Sequence, residues 1–266
     1  MSSTINTNVV SINAQRNLSK TQSSLSSAME RLSSGMRVNG AKDDAAGLAI
    51  AERMDAQTRG MNVAVRNSND AISLAATAEG ALGAISSNLQ RMRELAVQAS
   101  NGTNTTTDVA SMEKEFALLF AENARVTTAT LFNGQSVIAG TLFTFQVGAN
   151  SGDQITVQGA AYTGTGLTLG VDSGTANTAI GLLDADIGAV TSLRATWGAS
   201  QNRFETVISN LRVAAENSAA SRGRIVDADY AQETANLTRS QVLQQAGTAM
   251  VAQANQGPNG VLALLR

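Results

Sequence analysis

The stretch Asp44–Ser100, DAAGLAIAERMDAQTRGMNVAVRNSNDAISLAATAEGALGAISSNLQRMRELAVQAS, decides the fold. Small or apolar residues recur in it at alternating steps of three and four, from Gly47, Ile50, Met54 and Gln57 through Ala71, Ala75 and Ala78 to Leu82, Ile85, Leu89 and Met92. That spacing keeps one stripe of a helix facing a partner. No proline interrupts it, so it predicts a single helix of about 85 Å at 1.5 Å per residue. A helix of this length does not fit inside a compact domain of 266 residues, and an elongated molecule is expected. Because the seam is small or polar at first and rich in Leu, Ile and Met later, tight backbone approach should give way to bulkier packing.

Working outward, Leu18, Leu25 and Leu32 are spaced by sevens, with Gln22, Met29 and Met36 four residues after each. This is a three-heptad seam. Gly35 and Asn39-Gly40 supply stop and turn chemistry, and Asp43 or Asp44 can cap the long helix. Beyond it, Asn101–Thr107 reads as a loop and Asp108 as an N-cap. A third helix follows over Met112–Val126, with Phe116, Leu119, Phe120 and Asn123 on one side. The period then changes to two: Phe143, Phe145 and Val147, then Ile155 and Val157, flank the turn-rich Gly148–Asp153, which predicts a β-hairpin. Gly- and Thr-rich sequence to about Thr178 completes the only β territory. Helical spacing resumes at Ile180 and runs to Ala215, with a polar break at Asn217–Arg224. A last helix is expected from Ile225 through Leu243, Ala246, Met250 and Ala254 to Gly257-Pro258, followed by the apolar tail Val261–Arg266. The expected fold is mainly α: a long antiparallel coiled coil or helical bundle formed by both chain ends, with a small central β-hairpin region.

Composition narrows the chemistry. There is no Cys and no His, one Pro, one Trp and 3% aromatics, so disulfides, thiolate nucleophiles, histidine ligation and histidine-dependent triads are excluded. A net charge of −2 without a basic, aromatic-interleaved patch argues against nucleic acid. No apolar run reaches membrane-spanning length, and Met1–Val10 has neither the basic nor the apolar region of a secretory signal; no membrane partner is expected. Ser111 and Lys114 fit an SxxK pattern but lack the Lys-Thr-Gly strand of such enzymes, and read as a solvated helix face. Gly164–Gly170 has the wrong glycine spacing for a phosphate loop. The pairs Asp43-Asp44 and Asp227-Ala-Asp229 sit at expected helix starts, where capping explains them. No catalytic residue, cofactor or metal site is expected. Sixteen of the nineteen basic residues are Arg, which suits packed, bidentate interfaces better than Lys.

Long specific strings at both ends resemble bacterial flagellin. They include Ile5–Asn8, Ala14–Leu18, Glu30–Gly35, Ala41–Glu52 (AKDDAAGLAIAE), Leu89–Gln98 (LQRMRELAVQ), Phe132–Gly134 and Phe145–Asn150. Towards the far end are Gln201–Phe204, Arg224–Tyr230 (RIVDADY), Gln244–Thr248, Ala252–Asn255 and Leu264–Arg266. The resemblance covers about 1–158 and 178–266.

The resemblance implies a structural, non-enzymatic subunit of the extracellular flagellar filament, self-assembling into a hollow helical polymer for swimming motility. By the same resemblance, 1–43 and 226–266 are the two halves of an inner-tube coiled coil. Residues 44–177 and 178–225 form an outer-tube bundle with the hairpin, 158–177 being the remnant of a variable outer region. Subunit packing is expected at Leu18, Leu25, Met29, Leu32, Leu243, Met250, Leu262 and Leu265. Implied partners besides copies of the chain are the export chaperone, at Leu243, Met250, Val261 and Leu264, the filament cap and the hook-junction proteins. Toll-like receptor 5 is a further implied partner, at Gln90, Arg91, Glu94, Leu95 and Glu115. Export proceeds unfolded through the flagellar type III channel. A hook–filament junction protein shares the terminal coiled coil and the export route, and a non-flagellar coiled-coil signalling module shares the heptads; both are alternatives.

With no Cys and one Pro, the chain has no disulfide to reshuffle and few slow isomerisations. Dilution from denaturant should restore helix without a dominant phase in the tens-of-seconds range by stopped-flow circular dichroism; such a phase would refute this.

Overall fold

The computed structural model describes residues 7–159, 161–162, 164, 166–170 and 173–263, with backbone alone for 173 and 257–263. Its elements in chain order are α1 (Val9–Ser34), α2 (Ala45–Ala99), α3 (Thr106–Ala129), β1 (Leu131–Phe132), β2 (Gln135–Ser136), β3 (Leu142–Gln146), β4 (Gln154–Gln158), α4 (Ser173–Val226) and α5 (Tyr230–Ala263). They fall into two units: Met1–Ala56 with Ser218–Arg266, and Gln57–Asn217.

In the first unit α1 and α5 pack antiparallel, as their cross-links show. Asn8 donates to the Ala254 carbonyl at 2.7 Å, Ser11 to Asn255 at 2.7 Å, Gln244 to Gln22 at 3.0 Å and Tyr230 to the Leu32 carbonyl at 3.2 Å. α1 starts on Asn8, whose side chain accepts the Ser11 amide at 3.1 Å, and stops at Gly35, which takes φ 71° as a left-handed C-cap. Asp44 caps α2 by accepting the Gly47 amide at 2.8 Å, and Asp43 instead ties the amides of Asn39 and Gly40. The Arg37 amide reaches the Val226 carbonyl at 2.6 Å, and Ala228 reaches the Gly35 carbonyl at 2.9 Å, so the turns after α1 and α4 are stitched together.

The heptad phase differs from the expected one. Leu18, Leu25 and Leu32 are half-buried, but the more enclosed positions between them are Thr21 and Ala28, while Met29 is exposed and Gln22 reaches Gln244 of α5 only from the exposed edge of the pair. Small side chains occupy the closest approach, since two backbones draw together only where little stands between them. The front of α2 behaves alike: Ala51 is buried and Ile50 exposed.

The second unit holds the main core. From α2 come Ala71, Ala75 and Ala78, then Leu82, Ile85, Leu89 and Met92; α3 contributes Phe116, and α4 Leu183, Val190, Trp197 and Phe204. The small-to-large progression along α2 matches its sequence. On the β3–β4 hairpin Phe143 pairs with Val157 and Phe145 with Ile155 on one face, and Phe145 meets Phe204 edge-on at 5.6 Å. Asn67 donates to the Gln146 carbonyl at 3.0 Å, holding the hairpin on α2. Gly60 permits that contact, because a Cβ there would lie 2.8 Å from the Ala149 Cβ. Beyond the hairpin, Tyr162, Leu167 and Leu169 turn into the core, and the Leu169 amide donates to Glu113 at 2.7 Å.

Three helices have other bounds than expected, and one strand pair was not expected. α3 begins six residues early, because Thr105 is the N-cap and Asp108 the third residue of a capping box. Asn133 (φ 49°) and Gly134 (φ 78°) form a two-residue turn between β1 and β2, a pair of strands too short to show a period. α4 begins at Ser173 and continues through Asn217–Arg224, for Ser, Ala and Arg are tolerable helix residues; it stops at Val226. Asp229 then accepts the amides of Ala231 and Gln232 to start α5, which runs past Gly257-Pro258 to Ala263. One proline removes one donor near a helix end and need not terminate it.

Leu82 is fully buried at the centre of the second unit. Leu82→Ala should cost about 2–5 kcal/mol in urea unfolding of that unit's signal, whereas Ser111→Ala on the solvent face of α3 should leave it within about 0.5 kcal/mol.

Candidate functional site

Two exposed regions, one in each unit, gather the residues singled out from the sequence. In the second unit the region centres on Arg91 of α2. Its Nε donates to Glu115 Oε1 of α3 at 2.9 Å, and its Nη1 to Glu94 Oε2 one turn on at 2.9 Å. These acceptors, Glu115 first, raise the Arg91 pKa further and fix the guanidinium between two carboxylates. Gln90, Glu94 and Val97 are exposed on the same stretch and, with Arg93 and Gln98, line a shallow groove. Leu95 is not on this surface. It is 2% exposed and belongs to the core, which corrects the expectation that a partner touches it. Three residues on from Met92 and six from Leu89, both buried, it falls on the inner stripe; its role is to support the face from beneath.

Sequence reading missed the second clamp. Arg93 Nε donates to Asp184 Oδ1 at 2.6 Å and its Nη2 to Oδ2 at 3.4 Å, a forked bond from α2 to α4. Arg91 and Arg93, two residues apart, therefore hold α2 to α3 and to α4 respectively. The arginine excess was the only signal, and it does not name partners ninety-one residues away. A third link, Arg194 to Glu79 at 2.7 Å, joins α4 to α2.

In the first unit the exposed region is made by α1 and α5. Val9, Val10, Ile12 and Met29 on α1, and Val242, Leu243 and Met250 on α5, stand more than one-third exposed. Leu243 is 51% and Met250 62% exposed; Leu243 borders the α1–α5 groove beside Thr21 and Ala28, and Met250 is not among that groove's lining. Beside them runs a polar groove lined by Lys20, Ser24, Arg31, Asn236, Arg239 and Ser240, among others, in which Arg31 pairs with the nearly buried Glu233 at 3.2 Å. Val261 and Leu262 lie within the α5 backbone, and their side chains are outside the described residues, as are Leu264 and Leu265 altogether. Ser111 and Lys114 are exposed on α3, and Ser111 spends its hydroxyl on the Thr107 carbonyl at 3.0 Å. Among the described residues no helix is long and apolar enough to cross a membrane.

Residues 5–142 match the bacterial flagellin N-terminal helical region, and residues 180–265 the bacterial flagellin C-terminal helical region. The chain is 47% identical over 270 residues to a flagellin of Halalkalibacterium halodurans, covering 98% of this chain and 99% of that one. It is 42% identical to a flagellin of Xenorhabdus nematophila with both chains fully covered, and 40% identical to that of Bacillus subtilis at 98% and 99% coverage. The crystal structure of Bacillus cereus flagellin superposes with a TM-score of 0.52 at 39% identity, covering 55% of this chain and 88% of that one.

The Arg93 guanidinium, chiefly through its hydrogen bonds, holds the Asp184 carboxyl below the ordinary aspartate range. A folded value below the unfolded one means that the pair stabilises the fold at neutral pH and above, and that this is lost as pH falls through the lowered value. Carboxyl NMR titration should place Asp184 below free aspartate, and Arg93→Gln should return it to the ordinary range; an unshifted wild-type value would refute the clamp.

Proposed function

Because the chain belongs to the bacterial flagellin family, it is a structural subunit of the extracellular flagellar filament that polymerises with itself, and we propose how its surfaces divide that work. The observation that carries the division is the uncovered apolar surface of α1 and α5. Each helix buries one stripe against the other and leaves residues such as Val10, Met29, Leu243 and Met250 in water. Paired helices with so much apolar area exposed are completed by further copies, and contacts that do not close on themselves give a helical polymer.

In this reading residues 1–43 and 226–266 form the inner layer of the tube, and 44–177 with 178–225 the outer one. Leu18, Leu25 and Leu32 hold the α1–α5 pair, and Met29, Leu243 and Met250 pack against neighbouring subunits. Before assembly the same α5 surface, with Val261 and Leu264, is shielded by the export chaperone, and the chain leaves the cell unfolded. The filament cap and hook-junction proteins meet it at the ends of the polymer. The chain works without catalytic activity or cofactor.

The Arg91 face supports a second, independent role as a contact for Toll-like receptor 5, through Gln90, Arg91, Glu94 and Glu115. A guanidinium already ordered by two carboxylates costs little further entropy to bind. Arg91→Asp should abolish receptor signalling in a reporter-cell assay while negative-stain microscopy still shows filaments. Signalling at the wild-type level would sink the receptor assignment, and the absence of filaments from wild-type protein at high concentration would sink the assembly reading.

A further inference from the structure

The same absences that exclude catalysis concentrate another chemistry in a few side chains. With no Cys and no His, and Trp197 only 1% exposed, the methionine thioether is the side chain left for peroxides to oxidise. Among the described residues the methionines divide sharply. Met92 is fully buried, Met36, Met54, Met61 and Met112 are half-buried, and only Met29 (56%) and Met250 (62%) stand mostly in water. These two lie on α1 and α5, outside the seam that joins those helices. Susceptibility to oxidation follows exposure, so they should react first.

We propose that Met29 and Met250 are oxidation sites whose redox state controls polymerisation, a proposal that rests on the α1–α5 surface being covered by further copies of this chain. A peroxide transfers one oxygen to the thioether: the sulfur lone pair forms the S–O bond, the O–O bond breaks, sulfur is oxidised by two electrons, and the peroxide is reduced to water. The product sulfoxide is a strongly polar acceptor on what was a flexible apolar side chain. In the free subunit water satisfies it. Burial against a neighbour removes that water. Leu25 and Leu32 around Met29, and Ala246 and Ala254 around Met250, offer no donor, and the polar side chains one turn away, Ser26, Ser33 and Gln253, would have to give up water to supply one. An unpaired polar group entering an interface weakens it. Oxidation therefore acts on free subunits, and assembly protects the sites once covered.

The test uses the purified full chain, seeded with short filament fragments, with and without prior hydrogen peroxide. Peptide mass spectrometry should find sulfoxide at Met29 and Met250 before Met92, with helicity unchanged by circular dichroism. The oxidised chain should polymerise only at about tenfold higher concentration, a shift of the size an unpaired buried polar group produces. Methionine sulfoxide reductases with a dithiol, which becomes the disulfide as water is released, should restore assembly. The Met29→Leu, Met250→Leu double variant should assemble equally well before and after peroxide, and peroxide added to finished filaments should leave both sites largely unmodified. Oxidised wild type that assembles like untreated protein, a double variant that peroxide inhibits as strongly as wild type, or free reaction of both sites within filaments would each overturn the proposal. Assembly of the untreated chain is scored separately, since its failure would strike the assembly reading instead.

Discussion

The antiparallel pairing of α1 with α5 is the constraint on which the first unit depends. It joins segments more than two hundred residues apart, so the contact must outweigh the entropy of closing a very long loop. It does so with small residues at closest approach, polar bonds at intervals, and a half-buried ion pair between Arg31 and Glu233. Two helices can hide only one stripe of each. What remains outside includes Val9, Val10, Ile12, Met29, Val242, Leu243 and Met250, and this apolar remainder suits the unit to be a component of a larger object.

The second unit is built on the opposite balance. Three helices and a hairpin enclose a continuous core around Leu82, Phe116, Trp197 and Phe204. A polar pair sits inside it: Asn123, 2% exposed, accepts from Asn88 at 2.8 Å and turns its own amide towards the Met92 sulfur. A satisfied polar pair in an apolar seam disfavours slipped packings, since any shift would leave an amide unpaired. The arginine clamps on its surface then project from helices already packed on that core.

Much of this was legible along the chain. The three-four spacing of α2, the alternation of Phe143 and Phe145 with Ile155 and Val157, and the Gly35 stop each reflect a local rule acting on neighbouring residues. Failures came where a local rule admitted two answers. Heptad spacing from Leu25 places Met29 in the seam, yet Ala28 is the buried residue, because closest helix approach favours the smaller side chain. Leu95 sat inside a string with exposed residues on both sides, and only helical phase tells which members of such a string turn inward. Asp108 could cap a helix or complete a box, and the choice depended on Thr105.

What the sequence by itself determined is the period: which segments are helical, where backbone chemistry turns the chain, and which catalytic chemistries are impossible without Cys or His. Spacing and composition are properties of adjacent residues, and they survive without knowledge of partners. Only the tertiary structure decided who meets whom. The pairings of Arg91 with Glu115, Arg93 with Asp184, and Asn8 with Ala254 join residues that no local pattern relates. The same holds for the exposed side of α1 and α5, because a stripe becomes a surface only when the other stripe has been covered.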